Sequence, residues 1–324
     1  MKAVLCKTLG GPEVLVIEDI PDPVAGPGEV VVRVKAAALN FFDTLIIAGK
    51  YQRQPELPFS PCGEIAGVVE AVGPGVTEWR PGDRVMAYVG YGGARERVVV
   101  AASGLVAIPD GVSDEIASAI AITYGTALHG LGDRGALKAG ETVAILGASG
   151  GAGLAAVEVA KAMGGRVIAV ASTAEKLAVC RAHGADETLS TTAGDFKEAL
   201  RALSGGQGVD IVYDCVGGDL AEPAFRALAW KGRFLVVGFA SGDIPRLPLN
   251  LFLVKGAGAL GVFFGEAARR DPHALSENLR YALDGVVAGK LRPHVHCVLP
   301  VESIVEGLEL MRRREVVGKV VLTL

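Results

Sequence analysis

The sequence has 324 residues, of which half are hydrophobic and 44 are glycine, and its formal net charge is −4. This length is enough for two domains that each bury a core of their own. The modest negative charge, with no basic block beyond residues 312–314, argues against a nucleic-acid partner.

Other features of the composition bear on the cellular compartment. No run of about 18 uninterrupted apolar residues occurs, which argues against a membrane partner. The first residues soon become polar, so we expect no export signal. Five cysteines, an odd number and widely scattered, fit a reducing compartment better than a disulfide framework. We therefore expect a cytoplasmic protein.

Residues 1–120 are predicted to be rich in β-strands. The strand candidates are short apolar segments at residues 14–17, 29–35, 64–72 and 97–100. Turns rich in proline and glycine, such as residues 80–83, separate them. This spacing predicts a small, mostly antiparallel barrel or sandwich.

From Ser113, a candidate helix cap, the sequence changes to strands that alternate with helices. Strands are predicted at residues 142–146, 166–171, 187–189, 210–214, 234–237 and 259–263. The intervening helices are predicted at residues 176–183, 196–203 and 223–230. Six strands with a glycine turn after the first predict an α/β, doubly wound nucleotide-binding domain. After about residue 266 we expect helices near 273–287 and 303–311 and a final strand over 319–324.

The glycine turn follows a buried apolar strand and precedes a helix predicted from Leu154. Aligned with the fingerprint Gly-x-Gly-x-x-Gly, the segment reads Ala148, Ser149, Gly150, Gly151, Ala152 and Gly153, with alanine in the first glycine position. Backbone amides at a helix N-terminus favour a bound phosphate. The turn predicts dinucleotide binding, and a merely tight strand-to-helix turn is the alternative.

The end of the second strand of this domain indicates which dinucleotide is bound. NAD-binding folds place an acidic residue there, but this chain has Ala171. Ser172, Thr173 and Lys176 follow, and hydroxyls with an ammonium suit the 2′-phosphate of NADPH. The alternative is structural, because Ser172 with Glu175 also matches a helix capping box. We predict NADPH as the cofactor, with NADH as the alternative.

Several motifs together resemble the zinc-independent quinone oxidoreductase (zeta-crystallin-like) branch of the medium-chain dehydrogenase/reductase superfamily. They are the opening Met1-Lys-Ala-Val, residues 39–43, residues 67–73, residues 81–85, the glycine turn and the closing residues 318–322. The resemblance implies a GroES-like catalytic domain at residues 1–121 and an NADP-binding Rossmann domain with a six-stranded parallel sheet at 122–265. Residues 266–324 would return to complete the catalytic domain. It also implies a homodimer or homotetramer that pairs near residues 259–263.

Zinc-dependent relatives place a cysteine where this chain has Asn40 and a histidine where it has Gly63. A catalytic zinc needs three good protein ligands, so we predict no metal. Without a Lewis acid, alcohol oxidation is disfavoured. Hydride donation from NADPH to a quinone or an activated alkene (an enone) remains feasible, because the cofactor carries the reactive chemistry.

The resemblance also suggests individual site residues. Asn40 is the candidate for a polar contact near the nicotinamide, Asp43 for ordering the site or a proton path, and Tyr51 for donating a proton. The alternatives are a helix N-terminal charge at Asp43 and a rim aromatic at Tyr51. The cofactor contacts implied by the family's motifs are Thr126, Val216, Gly238, Phe239, Ala240, Phe263, Phe264 and Lys319.

Two other functions remain open at this point. One is reduction of an enoyl or acryloyl thioester, with Arg53 or Arg95 serving a phosphate-bearing carrier. The other is a non-enzymatic NADPH-binding role, since some members of this branch are lens structural proteins or bind RNA. The absence of a basic patch argues against RNA.

Overall fold

The computed structural model describes all residues from Met1 to Leu324. The strands are Lys2–Cys6 (β1), Leu15–Asp19 (β2), Glu29–Leu39 (β3), Glu64–Val72 (β4), Arg84–Tyr88 (β5), Arg97–Ala101 (β6), Leu105–Ala107 (β7), Thr142–Leu146 (β8), Arg166–Ala171 (β9), Glu187–Ser190 (β10), Val209–Asp214 (β11), Leu228–Val236 (β12), Gly258–Gly261 (β13), Val295–Pro300 (β14) and Lys319–Thr323 (β15). The helices are Phe41–Ile47 (α1), Asp114–Ser118 (α2), Thr123–Leu128 (α3), Gly151–Ala162 (α4), Ala174–Ala182 (α5), Phe196–Leu203 (α6), Ala221–Arg226 (α7), Leu249–Lys255 (α8), Phe264–Arg270 (α9), Pro272–Val287 (α10) and Ile304–Arg312 (α11). None of them is both long and apolar enough to cross a membrane.

The chain divides into two compact units. Unit 1 comprises Met1–Ile122, Ala267–Ala288 and Pro293–Leu324, and unit 2 comprises Thr123–Glu266 and Gly289–Arg292. The boundaries predicted at residues 121 and 265 each fall one residue before these. The assignment of the short segment Gly289–Arg292 to unit 2 was not predicted.

Unit 1 is built on a seven-stranded sheet in which the long strand β3 is central. β3 pairs antiparallel with β4, β6 and β15, and β14 joins the far side of β15 in parallel. Val30, Val32 and Val34 of β3 point into a core that also includes Val320 and Leu322 of β15. Most other residues of β3 are buried as well, so the strand is covered on both faces along much of its length. The predicted β-rich, mostly antiparallel architecture is confirmed.

Unit 2 is a six-stranded parallel sheet in the order β10-β9-β8-β11-β12-β13. The order reverses direction beside β8, the strand that leads into the glycine turn. Central strands buried on both faces account for the near-continuous apolar residues of β8 and β9. The predicted doubly wound α/β domain is confirmed. Ligands of such sheets bind at the carboxyl ends of the strands beside this reversal.

Helix α4, which follows the glycine turn, is anchored by a buried carboxylate. Glu158 accepts hydrogen bonds from the Tyr124 hydroxyl at 2.6 Å and from the Arg292 backbone N–H at 2.8 Å. Its other oxygen lies 2.6 Å from Nδ1 of His183. Burial and the neighbouring carboxylate raise the pKa of Tyr124, so its hydroxyl stays a donor. These contacts fix the helix that presents the turn.

One predicted helix is wrong. Residues 223–230 were expected to be helical, but α7 ends at Arg226 and β12 begins at Leu228. The helix-compatible composition of this segment is overridden because Leu228 is buried and pairs with Val209 of β11. Helix α4 also begins earlier than predicted, at Gly151, because Gly150 is its N-cap.

Candidate active site

Four polar side chains lie buried together in unit 1: Asn40, Asp43, Glu64 and Lys319. Asn40 follows β3, Glu64 opens β4 and Lys319 opens β15. Because β4 and β15 both run antiparallel to β3, the first residues of β4 and β15 lie beside the last residues of β3. Buried polar groups must be paired, and this group is paired internally. We call these four residues the polar cluster.

Lys319 is the centre of the polar cluster. Its ammonium donates hydrogen bonds to the Leu39 carbonyl at 2.7 Å, to Oδ1 of Asn40 at 2.6 Å and to Oε1 of Glu64 at 2.7 Å. The other oxygen of Glu64 accepts from the Ile122 backbone N–H at 2.8 Å. An ammonium has three N–H donors, so all of those on Lys319 are occupied.

The carboxamide of Asn40 lies between the two charged groups. Its Nδ2 donates to Oε1 of Glu64 at 2.8 Å and to the Ala38 carbonyl at 3.3 Å, while its Oδ1 accepts from Lys319. A flipped amide would face the ammonium with its own donor and the carboxylate with its own acceptor. The amide orientation is therefore fixed, with Oδ1 towards the ammonium and Nδ2 towards the carboxylate.

Asp43 closes the first turn of α1 by a capping box with Asn40. Its Oδ2 accepts from the Asn40 backbone N–H at 2.7 Å, and its Oδ1 accepts from the Cys62 backbone N–H at 3.0 Å. Burial raises the pKa of Asp43 to about 7, although these two N–H groups and Lys319 act in the opposite direction. Asp43 thus lies in the first turn of α1, as the structural alternative expected. Its role in ordering the active site or in a proton path remains a prediction.

Tyr51 lies half-buried with its ring 5.4 Å from that of Phe42. Burial, and then the charge of Asp43, raise the pKa of Tyr51 above its ordinary value. Tyr88, which the sequence did not single out, lies opposite Glu64 in the β4–β5 pairing. Burial raises the pKa of Tyr88 to about 12, and Tyr51 and Arg53 also act on it electrostatically. Both hydroxyls stay protonated at neutral pH.

The sequence analysis did not identify Glu64 or Tyr88 as site residues, although the sequence position of Glu64 indicates a buried carboxylate. It is an acidic residue directly before the apolar residues 65–69, and a carboxylate buried among apolar residues needs a hydrogen-bond partner. Lys319 opens an apolar strand in the same way. Sequence alone does not reveal that the two meet, since 255 positions separate them.

The backbone around Gly63 leaves no space for a metal-binding side chain. A Cβ at Gly63 would lie 2.6 Å from the Phe42 ring and 2.8 Å from the Gly90 carbonyl oxygen. No group of three histidine, cysteine, aspartate or glutamate side chains in the chain is arranged to hold a metal ion. Asn40 and Gly63 therefore do not fit a catalytic zinc, which needs three such ligands.

In unit 2 the glycine turn has the geometry of a close strand-to-helix connection. Gly147 has φ +72°, and a Cβ at Gly153 would lie 2.1 Å from the Gly147 carbonyl oxygen, so both positions require glycine. The Ala148 N–H donates to the Val170 carbonyl at 3.0 Å, which holds the turn on the sheet. The amides of the first turn of α4, from Gly151, have no intrahelical partner and suit a phosphate.

At the end of β9, the helix cap is Thr173 rather than Ser172. Thr173 accepts from the Lys176 backbone N–H at 3.3 Å. Hydrogen bonds from the Glu175 backbone N–H and then from the Thr173 side chain lower the pKa of the Glu175 carboxyl. The capping box expected of Ser172 and Glu175 is therefore not formed, and α5 has a simple N-cap at Thr173. Ser172 and Thr173 remain exposed, as an anion contact requires.

The loops after β11 and β12, which carry other predicted cofactor residues, touch each other. Val216 lies beside Gly147, Gly238 donates its N–H to the Asp214 carbonyl, and the Ala240 N–H donates to the Cys215 carbonyl. Phe239 packs near Gly217. A cavity of about 850 Å³ opens farther along the same edge, lined in part by Thr191, Phe196, Gly218 and Arg246.

The remaining predicted contacts are Thr126, Phe263 and Phe264 of unit 2 and Lys319 of unit 1. Thr126 is buried in α3, and Phe264 is buried against Gly125 of the same helix, whereas Phe263 is partly exposed. Lys319 lies in the polar cluster of unit 1. The structure thus brings Lys319 to Asn40 and Asp43, and gives it partners other than the predicted cofactor.

Comparisons with known proteins cover the whole chain. Residues 26–110 match the family model of the alcohol dehydrogenase GroES-like domain, and residues 151–281 match that of zinc-binding dehydrogenases. A quinone oxidoreductase-like protein 2 homolog from Nematostella vectensis is 38% identical, over 99% of this chain and 88% of its own length.

Two solved structures have the same fold. One is titled an NAD-dependent alcohol dehydrogenase, with 36% identity, a TM-score of 0.91 and full coverage of both chains. The other is the Escherichia coli quinone oxidoreductase complexed with NADPH, with 27% identity, a TM-score of 0.91 and full coverage of both chains. The GroES-like and Rossmann domains predicted from the sequence are confirmed.

Proposed function

The chain belongs to the quinone oxidoreductase branch of the medium-chain dehydrogenase/reductase superfamily, and we propose that it is a zinc-independent, NADPH-dependent reductase of quinones or enones. The observation that carries this proposal is the polar cluster. Where zinc-dependent relatives need metal ligands, this chain has a buried ammonium, a carboxylate and a carboxamide bonded to one another.

When bound, NADPH would supply a hydride to one carbonyl oxygen of the quinone, or to the β-carbon of the enone, and would itself become NADP⁺. An electron pair would move onto the other carbonyl oxygen of the quinone, or onto the carbonyl oxygen of the enone. A proton then reaches that oxygen, or the α-carbon of the enone, to give the hydroquinone or the saturated ketone. The chain must bind both molecules, exclude side reactions and supply or conduct this proton.

Tyr51 is our candidate proton donor, and Asp43 is the group that supports it. The raised pKa of Tyr51 keeps its hydroxyl protonated at neutral pH. Asp43, with a pKa of about 7, exchanges a proton near neutrality, as a relay requires. Asn40 is our candidate for a polar contact near the nicotinamide.

In unit 2 the first-turn amides of α4 hold the pyrophosphate, and Lys176 with Ser172 recognises the 2′-phosphate. Ala171 supports NADPH, because no carboxylate stands there to repel that phosphate. The solved relatives differ in this respect, one being titled NAD-dependent and one complexed with NADPH, so the residues after β9 decide. We also propose Thr126, Phe239 and Phe264 as contacts to the nicotinamide half.

The test is oxidation of NADPH and of NADH by a panel of quinones, enones and enoyl thioesters. We expect the quinones or enones to give the highest kcat/KM and NADPH to be preferred. Turnover restricted to enoyl thioesters would replace this acceptor class with the thioester alternative. No turnover with any acceptor, together with tight NADPH binding, would favour a non-enzymatic role.

We further propose a cytoplasmic homodimer. Strand β13 is one of the two edge strands of the Rossmann sheet, and Ala259 on it is exposed. Trp230, Leu249 and Leu253 of unit 2 are more than two-thirds exposed, an apolar surface that a partner subunit would cover.

A further inference from the structure

We propose that Lys319 is a positioning residue for Asn40, acting together with Glu64, and that it is not a contact of the cofactor. This inference rests on the proposed reductase function. Lys319 and Glu64 fix the carboxamide so that Oδ1 faces the ammonium and Nδ2 faces the carboxylate. Asn40 thereby presents its ligand with a carboxamide of one fixed orientation.

The first support for the proposal is that the Lys319 ammonium has no free N–H group. Each N–H of the Lys319 ammonium already has an acceptor within 2.7 Å, on Leu39, Asn40 and Glu64. A cofactor phosphate would have to displace one of them. Lys319 is only 5% exposed, so such an exchange would leave a buried acceptor without its donor.

The second support is that Asn40 lies between the opposite charges of Lys319 and Glu64. The Glu64 carboxylate is fully buried and accepts from Lys319, Asn40 and the Ile122 N–H. A buried pair of this kind does little for stability compared with apolar residues, but it discriminates strongly between orientations of a group held between its two charges. Here that group is the Asn40 carboxamide, whose two ends present opposite hydrogen-bonding character to the ammonium and the carboxylate.

The third support is the backbone geometry that places Lys319 beside Asn40. β15 is the last strand of the chain, and Lys319 is its first residue, directly after Gly318 with φ +73°. A Cβ at Gly318 would lie 2.2 Å from the His294 carbonyl oxygen, so only glycine permits this approach of β14 and β15. The Lys319 backbone N–H donates to the same His294 carbonyl at 2.9 Å. The backbone therefore holds the lysine at one place beside Asn40.

The experiment compares Lys319→Met, Lys319→Arg, Asn40→Ala and the double variant Lys319→Met/Asn40→Ala. Lys2→Met, an exposed lysine of the same unit, is the control. For each protein we would measure kcat with the best acceptor, the NADPH dissociation constant from nicotinamide fluorescence, and the thermal midpoint. Lys319→Met leaves Glu64 without a countercharge, so Lys319→Met/Glu64→Gln, which removes both charges, is measured as well.

If Lys319 positions Asn40, Lys319→Met lowers kcat by about 10- to 100-fold while the NADPH dissociation constant changes less than about threefold. Lys319→Arg restores much of kcat. Asn40→Ala causes little additional loss in the Lys319→Met background, because the two residues act as one unit. Lys319→Met/Glu64→Gln folds and remains slow, since the amide is no longer oriented.

A rise of tenfold or more in the NADPH dissociation constant at unchanged kcat would overturn the proposal and make Lys319 a cofactor contact. Additive losses in Lys319→Met/Asn40→Ala would also overturn it. Failure of the proposed function is distinguishable, because the wild type itself would then not oxidise NADPH with any of the acceptors tested. In that case the fluorescence of bound NADPH still reports whether Lys319→Met and Asn40→Ala change the nicotinamide environment alike, as positioning requires.

Discussion

Nζ of Lys319 lies 2.7 Å from Oε1 of Glu64, and both side chains are buried, so the chain contains an ion pair that water does not screen. The same ammonium lies 2.6 Å from Oδ1 of Asn40. A charge pair taken out of water needs further hydrogen bonds to offset the loss of hydration, and here these come from Leu39, Asn40 and Ile122.

The first prediction concerns pH and stability. Burial raises the pKa of Asp43 from its ordinary value of 3.8 to about 7, so the folded protein binds a proton that the unfolded chain releases. The free energy of unfolding of the wild type, relative to Asp43→Asn, should therefore fall by about 2 to 3 kcal/mol between about pH 5 and about pH 8. Urea denaturation of both proteins at several pH values measures this difference. A difference that does not vary with pH would show that Asp43 is ionised throughout.

The second prediction concerns the NADPH preference. Lys176→Ala should lower kcat/KM for NADPH by about 10- to 100-fold, because a charge-assisted contact to the 2′-phosphate is lost. The value for NADH should change less than about threefold. Lys138→Ala, an exposed lysine of the same unit, is the control. Equal losses with both cofactors would place Lys176 elsewhere than at the 2′-phosphate.

The third prediction concerns packing beside the polar cluster. Gly63→Ala should lower the free energy of unfolding by about 1 to 3 kcal/mol, because its Cβ would overlap the Phe42 ring and the Gly90 carbonyl. Gly104→Ala has open surroundings, with the nearest contact at 3.8 Å, and serves as the control. Thermal unfolding compares the two. An unchanged thermal midpoint for Gly63→Ala would show that a side chain, including a metal ligand, does fit there.

The fourth prediction concerns the oligomer. Ala259→Lys places a charge on the exposed edge strand β13, where lysine discourages pairing with another chain. We expect sedimentation analysis to show a shift from dimer to monomer, with the thermal midpoint of the monomer little changed. Val24→Lys, at an exposed position of unit 1, should leave the dimer intact. A dimer that persists in Ala259→Lys would place the interface elsewhere.

The sequence predicts the fold well where the pattern is local. β4, β8 and β9 lie at the predicted residues, and the glycine turn connects the predicted strand and helix. It fails at residues 223–230, where burial of Leu228 against β11 outweighs local helical preference. Residues that resemble the family's motifs lead to Asn40 and Lys319, but not to their contact.

That contact depends on strand order, which no local pattern contains. Lys319 and Asn40 meet because β15, the last strand, pairs antiparallel with β3 near the start of the chain. The three hydrogen bonds of the Lys319 ammonium are visible only in the three-dimensional structure. They leave the ammonium no N–H for a phosphate. Glu64 is missed for the same reason.

The most direct test of the account is NADPH oxidation by a quinone or enone with protein from which metals have been removed by a strong chelator. Residual zinc is measured on the same sample by mass spectrometry. We predict that kcat is unchanged at a zinc content well below one atom per chain, because Asn40, Glu64 and Lys319 are bonded to one another and need no metal. Loss of activity on chelation, restored in proportion to added zinc, would contradict the account.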